Sequence, residues 1–229
     1  MQMPETAQHA AEPEAERGAF IRRATLEDSD FLSWVILAAS RGHLVRGWFD
    51  IALDQPEQGC LHFLKRLTAA SAPSRWHYSR FLVVESAGSP VAALCAFRAA
   101  DAYLASPIAI IEAARSAGLP SAGHAQIWKK GAYQFSCSAR SPDDCWVLES
   151  IATLPNHRQR GYTSMLLARA IEDGRARGLK EAEITVVIGN EAAERTYIAA
   201  GFRRVSESLH TDFETATGAI GQRRLVRAL

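Results

Sequence analysis

Arg158-Gln159-Arg160-Gly161-Tyr162-Thr163 carries the densest chemical information in the chain. It lies between an apolar run that ends at Thr153-Leu154-Pro155 and a helical pattern that begins at Tyr162. A helix start exposes unpaired main-chain N–H groups and the positive end of the macrodipole, worth about half a unit charge. Such a start binds anions, phosphate above all. Gly161 removes a side chain where a pyrophosphate would approach, and Arg158 and Arg160 add movable positive charge. The same residues would also make an ordinary solvated turn. No Gly-Lys pair completes a P-loop, and no G-x-G-x-x-G follows a strand, so the common nucleotide motifs are absent.

A second stretch, Ile188-Gly189-Asn190 to Ala200-Gly201-Phe202, decides between the two readings. Asn190 is placed to cap a helix, Ala193 and Tyr197 share one helical face, and Gly201 ends the helix before Phe202 opens a strand. The pattern N-x-x-A-x-x-x-Y-x-x-x-G-F, in register after an R-x-x-G-x loop and helix, resembles the GCN5-related N-acetyltransferase (GNAT) superfamily. The two motifs cover residues 153 to 202, and compatible flanks extend the likeness to about 20 to 229.

The resemblance implies an α/β (α+β) fold whose mixed central sheet is splayed between its fourth and fifth strands, with flanking helices. It implies acetyl-CoA, or another acyl-CoA, as co-substrate in that gap. The backbone around Ile151, Ala152 and Thr153 would pair with the pantetheine arm, and Arg158, Gln159, Arg160, Gly161, Tyr162 and Thr163 would hold the pyrophosphate. Asn190 and Ala193 would border the cofactor, and Tyr197 would protonate the leaving thiolate. A phenol near pKa 10 is a suitable donor; Tyr197 equally suits a core position. Thr163 departs from the family loop, which usually ends in Gly-x-Gly or Gly-x-Ala.

Attack by an amine on a thioester needs a neutral amine, hence a base or a water relay. Glu149, a carboxylate inside the apolar run Trp146 to Thr153, is the first candidate; its alternative is a salt-bridged structural residue. Strand alternation predicts that it shares a face with Ile151 and Thr153. Glu85 is the weaker candidate. Acceptor recognition is expected from Arg41, His43, Arg46, Trp48 and Asp50, from Arg75-Trp76-His77-Tyr78, and from His124 and Trp128, the tryptophans being equally suited to a core. No histidine pair has metal-ligand spacing, and no metal is expected.

The elements that must position these residues follow from periodicity. Phe20 to Ala24 reads as a strand, Phe31 to Ala39 as a helix capped by Thr25 or Asp28, and Leu61, Leu64 and Leu67 as part of another helix. Phe81 to Glu85 and Val91 to Arg98 read as a hairpin around Ala87-Gly88-Ser89-Pro90. Pro107 to Ala117 reads as a helix and Ser121 to His124 as a loop. The remainder reads as strand 146 to 153, helix 162 to 177, strand 182 to 188 and helix 191 to 200, with 202 to 210 and 223 to 228 as a closing antiparallel pair. The alternation predicts a largely parallel centre.

With 229 residues, 48% hydrophobic and 22% charged, the chain suits a globular domain. Residues 1 to 18 are expected as a disordered tail and 19 to 229 as one acyltransferase domain elaborated at 43 to 80 and 99 to 145. A net charge of +1 gives no field for polyanions, so no nucleic-acid partner is expected. The first 18 residues hold no apolar h-region and no run reaches membrane-spanning length, so no membrane partner and a cytoplasmic location are expected. Four cysteines without a C-x-x-C pair argue against a disulfide framework. The expected acceptor is a small-molecule or peptide amine, and a homodimer remains an alternative to a monomer. Two other functions stay open: an acyl-CoA-binding sensor of the same fold without turnover, and a nucleotide-binding α/β protein.

Overall fold

The computed structural model describes residues 18–137 and 141–229; all of the expected tail but Gly18, and residues 138–140 of the 99–145 elaboration, lie outside the described residues. The strands are β1 (Phe20–Arg23), β2 (Phe81–Ser86), β3 (Ser89–Arg98), β4 (Trp146–Thr153), β5 (Glu181–Val187), β6 (Arg203–Leu209) and β7 (Gly221–Ala228). They form one sheet in the order β1-β2-β3-β4-β5-β7-β6. Among the described residues only β4 and β5 pair in parallel, and the other pairings are antiparallel. The centre is therefore less parallel than the alternation predicts, because β7 returns between β5 and β6 instead of joining the edge.

The sheet separates two helical layers. On one face lie α1 (Ser29–Arg41), α2 (Trp48–Leu53), α3 (Glu57–Thr68), α5 (Ser106–Ser116) and α6 (Ser121–Gly131), packed on Phe81, Val83, Ala93, Cys95, Phe97 and Val147. On the other, α8 (Tyr162–Ala176) and α9 (Glu191–Ala199) cover Leu82, Val84, Leu94, Leu148, Ile184 and Leu225. The odd and even positions from Phe81 to Val84 and from Ala92 to Phe97 thus divide between two cores, as a strand buried on both faces requires. Short helices α4 (Ala99–Ala102), α7 (Tyr133–Cys137) and α10 (Thr211–Thr217) complete the chain.

Local chemistry explains most boundaries. Ala87 and Gly88 both take positive φ (50° and 72°), the two-residue turn that suits strand twist, and Ser89 and Pro90 already belong to β3. Arg22 donates to both Asp28 oxygens (2.7 and 2.9 Å) and to Glu85 (2.6 Å), tying β1 to the entry of α1. That engagement places Glu85 in a structural clamp away from the cleft, against its candidacy as a base. Ser121 to His124, read as a loop, is instead the first turn of α6, which Pro120 immediately precedes. α10, between β6 and β7, carries no distinctive pattern and went unread.

One irregularity shapes the centre. Cys95 pairs with Glu149 and Ala93 with Ala152, so the single residue Leu94 faces both Ser150 and Ile151. Ser150 absorbs this bulge at φ +50°, a conformation that costs a non-glycine residue about 1–2 kcal/mol. Beyond it the alternation is shifted: Ile151 packs on the α8/α9 core and Ala152 on the opposite one. Glu149, whose strand neighbour Val147 belongs to the α1–α3 core, therefore does not share a face with Ile151, a correction to the simple alternation. β4 leaves β5 already before the bulge. The two pair only at Trp146 with Ala182 and Val147 with Glu183, which opens a cleft between them.

Candidate active site

The cleft widens into a cavity of about 1440 Å³. That exceeds the few hundred to a thousand cubic ångströms of a drug-sized pocket and leaves room for two ligands. Of the residues singled out from sequence, Glu149, Ile151, Ala152, Thr153, Arg158, Gln159, Gly161, Tyr162, Thr163, Asn190, Ala193 and Tyr197 line it. Arg160 does not; its guanidinium donates to the Asn156 carbonyl at 3.3 Å and steadies the loop from outside.

The anion loop has the curvature its composition suggested. Gln159 and Gly161 both adopt positive φ (61° and 79°), and Gly161 is the N-cap of the fifteen-residue α8. A Cβ at Gly161 would find nothing within 4 Å, so its need for glycine comes from the backbone and leaves open space beside it. The first-turn N–H groups of α8 then face the cavity without an intrahelical partner. Arg158 reaches back to the Thr153 carbonyl (3.4 Å), and neither Arg158 nor Arg160 pairs with a carboxylate among the described residues. Thr163, the departure from the family loop, places its hydroxyl 3.3 Å from that of Thr153 and ties the helix start to the strand end.

Asn190 caps α9 by accepting from the Ala193 N–H at 3.3 Å, and it borders the cavity as well. One turn on, Tyr197 is 8% exposed within the α8/α9 core, yet its ring meets the cleft. Both readings of this tyrosine hold together. Burial pushes its phenol up to about 12.

Glu149 combines its two readings in the same way. It lines the cavity and accepts from Arg75 Nη1 at 3.3 Å. Burial raises its pKa, Arg75 opposes that rise, and Glu183 adds to it. Arg75 is itself held in a column, its Cζ 4.3 Å from the Trp76 ring, which stacks on Trp48 with centroids 6.2 Å apart. Trp48 donates to the Gly131 carbonyl (3.0 Å), and a Cβ at Gly131 would sit 2.7 Å from the indole, so α6 approaches this closely only through glycine.

His43, Trp48, Arg75, Trp76 and Trp128 line the cavity as expected of acceptor-side residues. Arg41, Arg46, Asp50, His77, Tyr78 and His124 do not. Arg41 and Asp50 form a bidentate pair (2.9 and 2.7 Å) while Asp50 also accepts from Gly47 N–H, which fixes α1 against α2. Sequence reasoning missed Tyr103, Tyr133, Phe135, Ser141, Glu183 and Gln222, all on the cavity wall. Their only signal was membership of an irregular block or an apolar strand.

The chain matches the pattern of the acetyltransferase (GNAT) family over residues 46–202. No curated protein sequence matches it. Among solved structures it resembles an acetyltransferase at 22% identity and TM-score 0.63, covering 90% of this chain and 97% of that one. An N-acetyltransferase from Staphylococcus aureus Mu50 is similar at 19% identity and TM-score 0.65, with 91% and 100% covered. A third, yncA, a putative acetyltransferase from Salmonella typhimurium solved with its cofactor acetyl-CoA, is similar at 14% and TM-score 0.51, with 93% and 95% covered. At these identities the likeness speaks for the fold; with the family match spanning well over half of the sequence, the chain belongs to the GNAT family of acetyltransferases.

Proposed function

We propose that residues 19 to 229 form one acyltransferase domain that moves an acetyl, or another short acyl, group from acyl-CoA to a primary amine by direct attack. The observation that carries this reading is a single cavity onto which three features open: the left-handed loop at Gln159–Gly161, the unpaired strand edge after Ser150, and Glu149 with Tyr197. The residues fit acyl-CoA: the open space beside Gly161 and the start of α8 suit a pyrophosphate, with Arg158 adding charge. The β4 edge at Ile151 to Thr153 offers main-chain groups to a pantetheine arm, and Asn190 and Ala193 border its path. Acyl-CoA supplies an activated thioester.

Glu149 then takes the proton of the attacking amine, directly or through a water, and Arg75 steadies the carboxylate. Because burial lifts the Glu149 pKa, its base form persists only above the ordinary carboxylate range. Main-chain N–H groups near the Ser150 bulge face the carbonyl oxygen as charge grows on it. Tyr197, whose hydroxyl has no hydrogen-bond partner among the described residues, gives a proton to the departing sulfur. The elaborations at 43 to 80 and 99 to 145 select the acceptor.

The test is acetyl-CoA-dependent release of CoA over a panel of amines, beside calorimetric titration with acetyl-CoA, ATP and NAD. Turnover on at least one amine with acetyl-CoA bound in preference to both nucleotides supports the proposal. Tight acetyl-CoA binding without turnover on any amine identifies a sensor instead, and preference for ATP or NAD removes the acyl-CoA reading altogether.

A further inference from the structure

The acceptor half of the cavity has a chemical character that the family assignment leaves open. Its carboxylates are already engaged. Glu149 is held by Arg75, Glu183 by Arg224 at 2.7 Å, and Asp143 is engaged too. Ser141 donates to Glu183 and meets the Tyr103 hydroxyl at 3.3 Å, closing a polar network at the floor. Among the described residues no spare carboxylate therefore waits here, while Arg75 keeps its Nε buried without a partner.

What remains on this wall is aromatic and aliphatic. Trp48 and Tyr133 line the interior, and at the mouth Leu104 is 86% and Phe135 62% exposed. Large apolar side chains left in water beside a cavity lose a favourable burial that a ligand body would supply. Polar side chains interrupt this surface, and besides Arg75 one of them has a buried atom without a partner. Gln222, on β7 opposite Val187, is 8% exposed and lines the cavity with its side-chain oxygen buried and unpartnered. Buried polar atoms without a partner are rare, and one on a cavity wall is satisfied by a ligand donor.

We propose that the acceptor is a primary amine on a flat apolar body that presents a hydrogen-bond donor, such as a hydroxyl or ring N–H, toward Gln222. The amine would stand at Glu149, the body against Trp48 and Tyr133, and its outer face under Leu104 and Phe135. This assignment rests on the acyl-transfer reading and names its substrate class.

The experiment compares kcat/KM of the full chain for a phenylalkylamine, its ring-hydroxylated analogue, an aliphatic diamine of similar length, an α-amino acid and a lysine peptide, with calorimetric binding of each amine in the presence of CoA. The two aromatic amines are expected to lead the other three by at least about tenfold, the hydroxylated one ahead of its parent. Leu104→Ser and Phe135→Ser, both at exposed positions, should each lower kcat/KM for aromatic amines several-fold and leave acetyl-CoA affinity as it was. Gln222→Leu should erase the advantage of the ring hydroxyl. Preference for the diamine, amino acid or peptide overturns the proposal, as does failure of the aromatic amines to bind. Their binding without turnover on any amine supports the pocket and overturns the acyl-transfer reading, so the two failures are distinct.

Discussion

The two faces of the cleft between β4 and β5 are built on opposite plans. On the α8/α9 face, the groups proposed to hold the cofactor come from two short contiguous stretches, 153 to 163 and 190 to 197, and would act largely through main-chain N–H groups. On the other face, the wall is gathered from α2, the segment around Arg75, α4, α7, β5 and β7, and acts through side chains. A backbone site tolerates few changes in loop shape and many in side chain; a side-chain site does the reverse. The contrast accounts for a family that keeps one co-substrate while its acceptors vary.

The sharpest way to break the cofactor face is through its backbone. Gly161→Glu sets a β-carbon at φ +79° and a carboxylate in the anion site. Acetyl-CoA affinity measured by calorimetry should fall by at least about a hundredfold, since 1.4 kcal/mol is a factor of ten. Circular dichroism should show the fold retained. Unchanged affinity would place the pyrophosphate elsewhere.

Glu149→Gln tests the junction of the two faces. Loss of a general base typically costs about 10²–10⁴ in rate, so kcat should drop by that order with acetyl-CoA affinity preserved. In the wild type, kcat/KM should rise with pH through the Glu149 titration, at a midpoint above the ordinary carboxylate range because burial disfavours the anion. A profile flat from pH 5 to 8 that the substitution leaves unaltered would remove Glu149 from the chemistry.

Tyr197→Phe should lower kcat about tenfold while the melting temperature stays nearly fixed, because the hydroxyl has no hydrogen-bond partner to lose among the described residues. Scanning calorimetry and steady-state rates measured together distinguish a donor from a packing residue. The smallest effect belongs to Gly131→Ala. Its new methyl meets the Trp48 indole, and overpacking of this kind costs about 1–3 kcal/mol. Acceptor KM should rise several-fold with acetyl-CoA affinity untouched, which a change on the other face would not reproduce.

The same contrast governs what the chain discloses before it folds. The loop at 158 to 163 and the N-x-x-A-x-x-x-Y helix are local, so residue types and spacing suffice to place Gly161, Asn190 and Tyr197. The strands around them follow from apolar runs and turn chemistry. Ser150 is different: a serine at φ +50° inside a strand has no sequence signature, yet it shifts the alternation beyond Glu149. Arg75 meets Glu149 across 74 positions, Glu183 reads as an ordinary strand residue, and Gln222 lies just outside the strand read at 223 to 228 until β7 returns beside β5. Side chains brought together by topology leave no local pattern, and the acceptor wall consists of little else.

The most direct test of this division is a crystal structure with acetyl-CoA bound. The account predicts the pyrophosphate within hydrogen-bond distance of the main-chain N–H groups of residues 159 to 163. It also predicts the pantetheine along β4 beyond Ser150, and the thioester between Tyr197 and Glu149. A cofactor lying on the Trp48 and Tyr133 side of the sheet, or one whose phosphates avoid the start of α8, would contradict it.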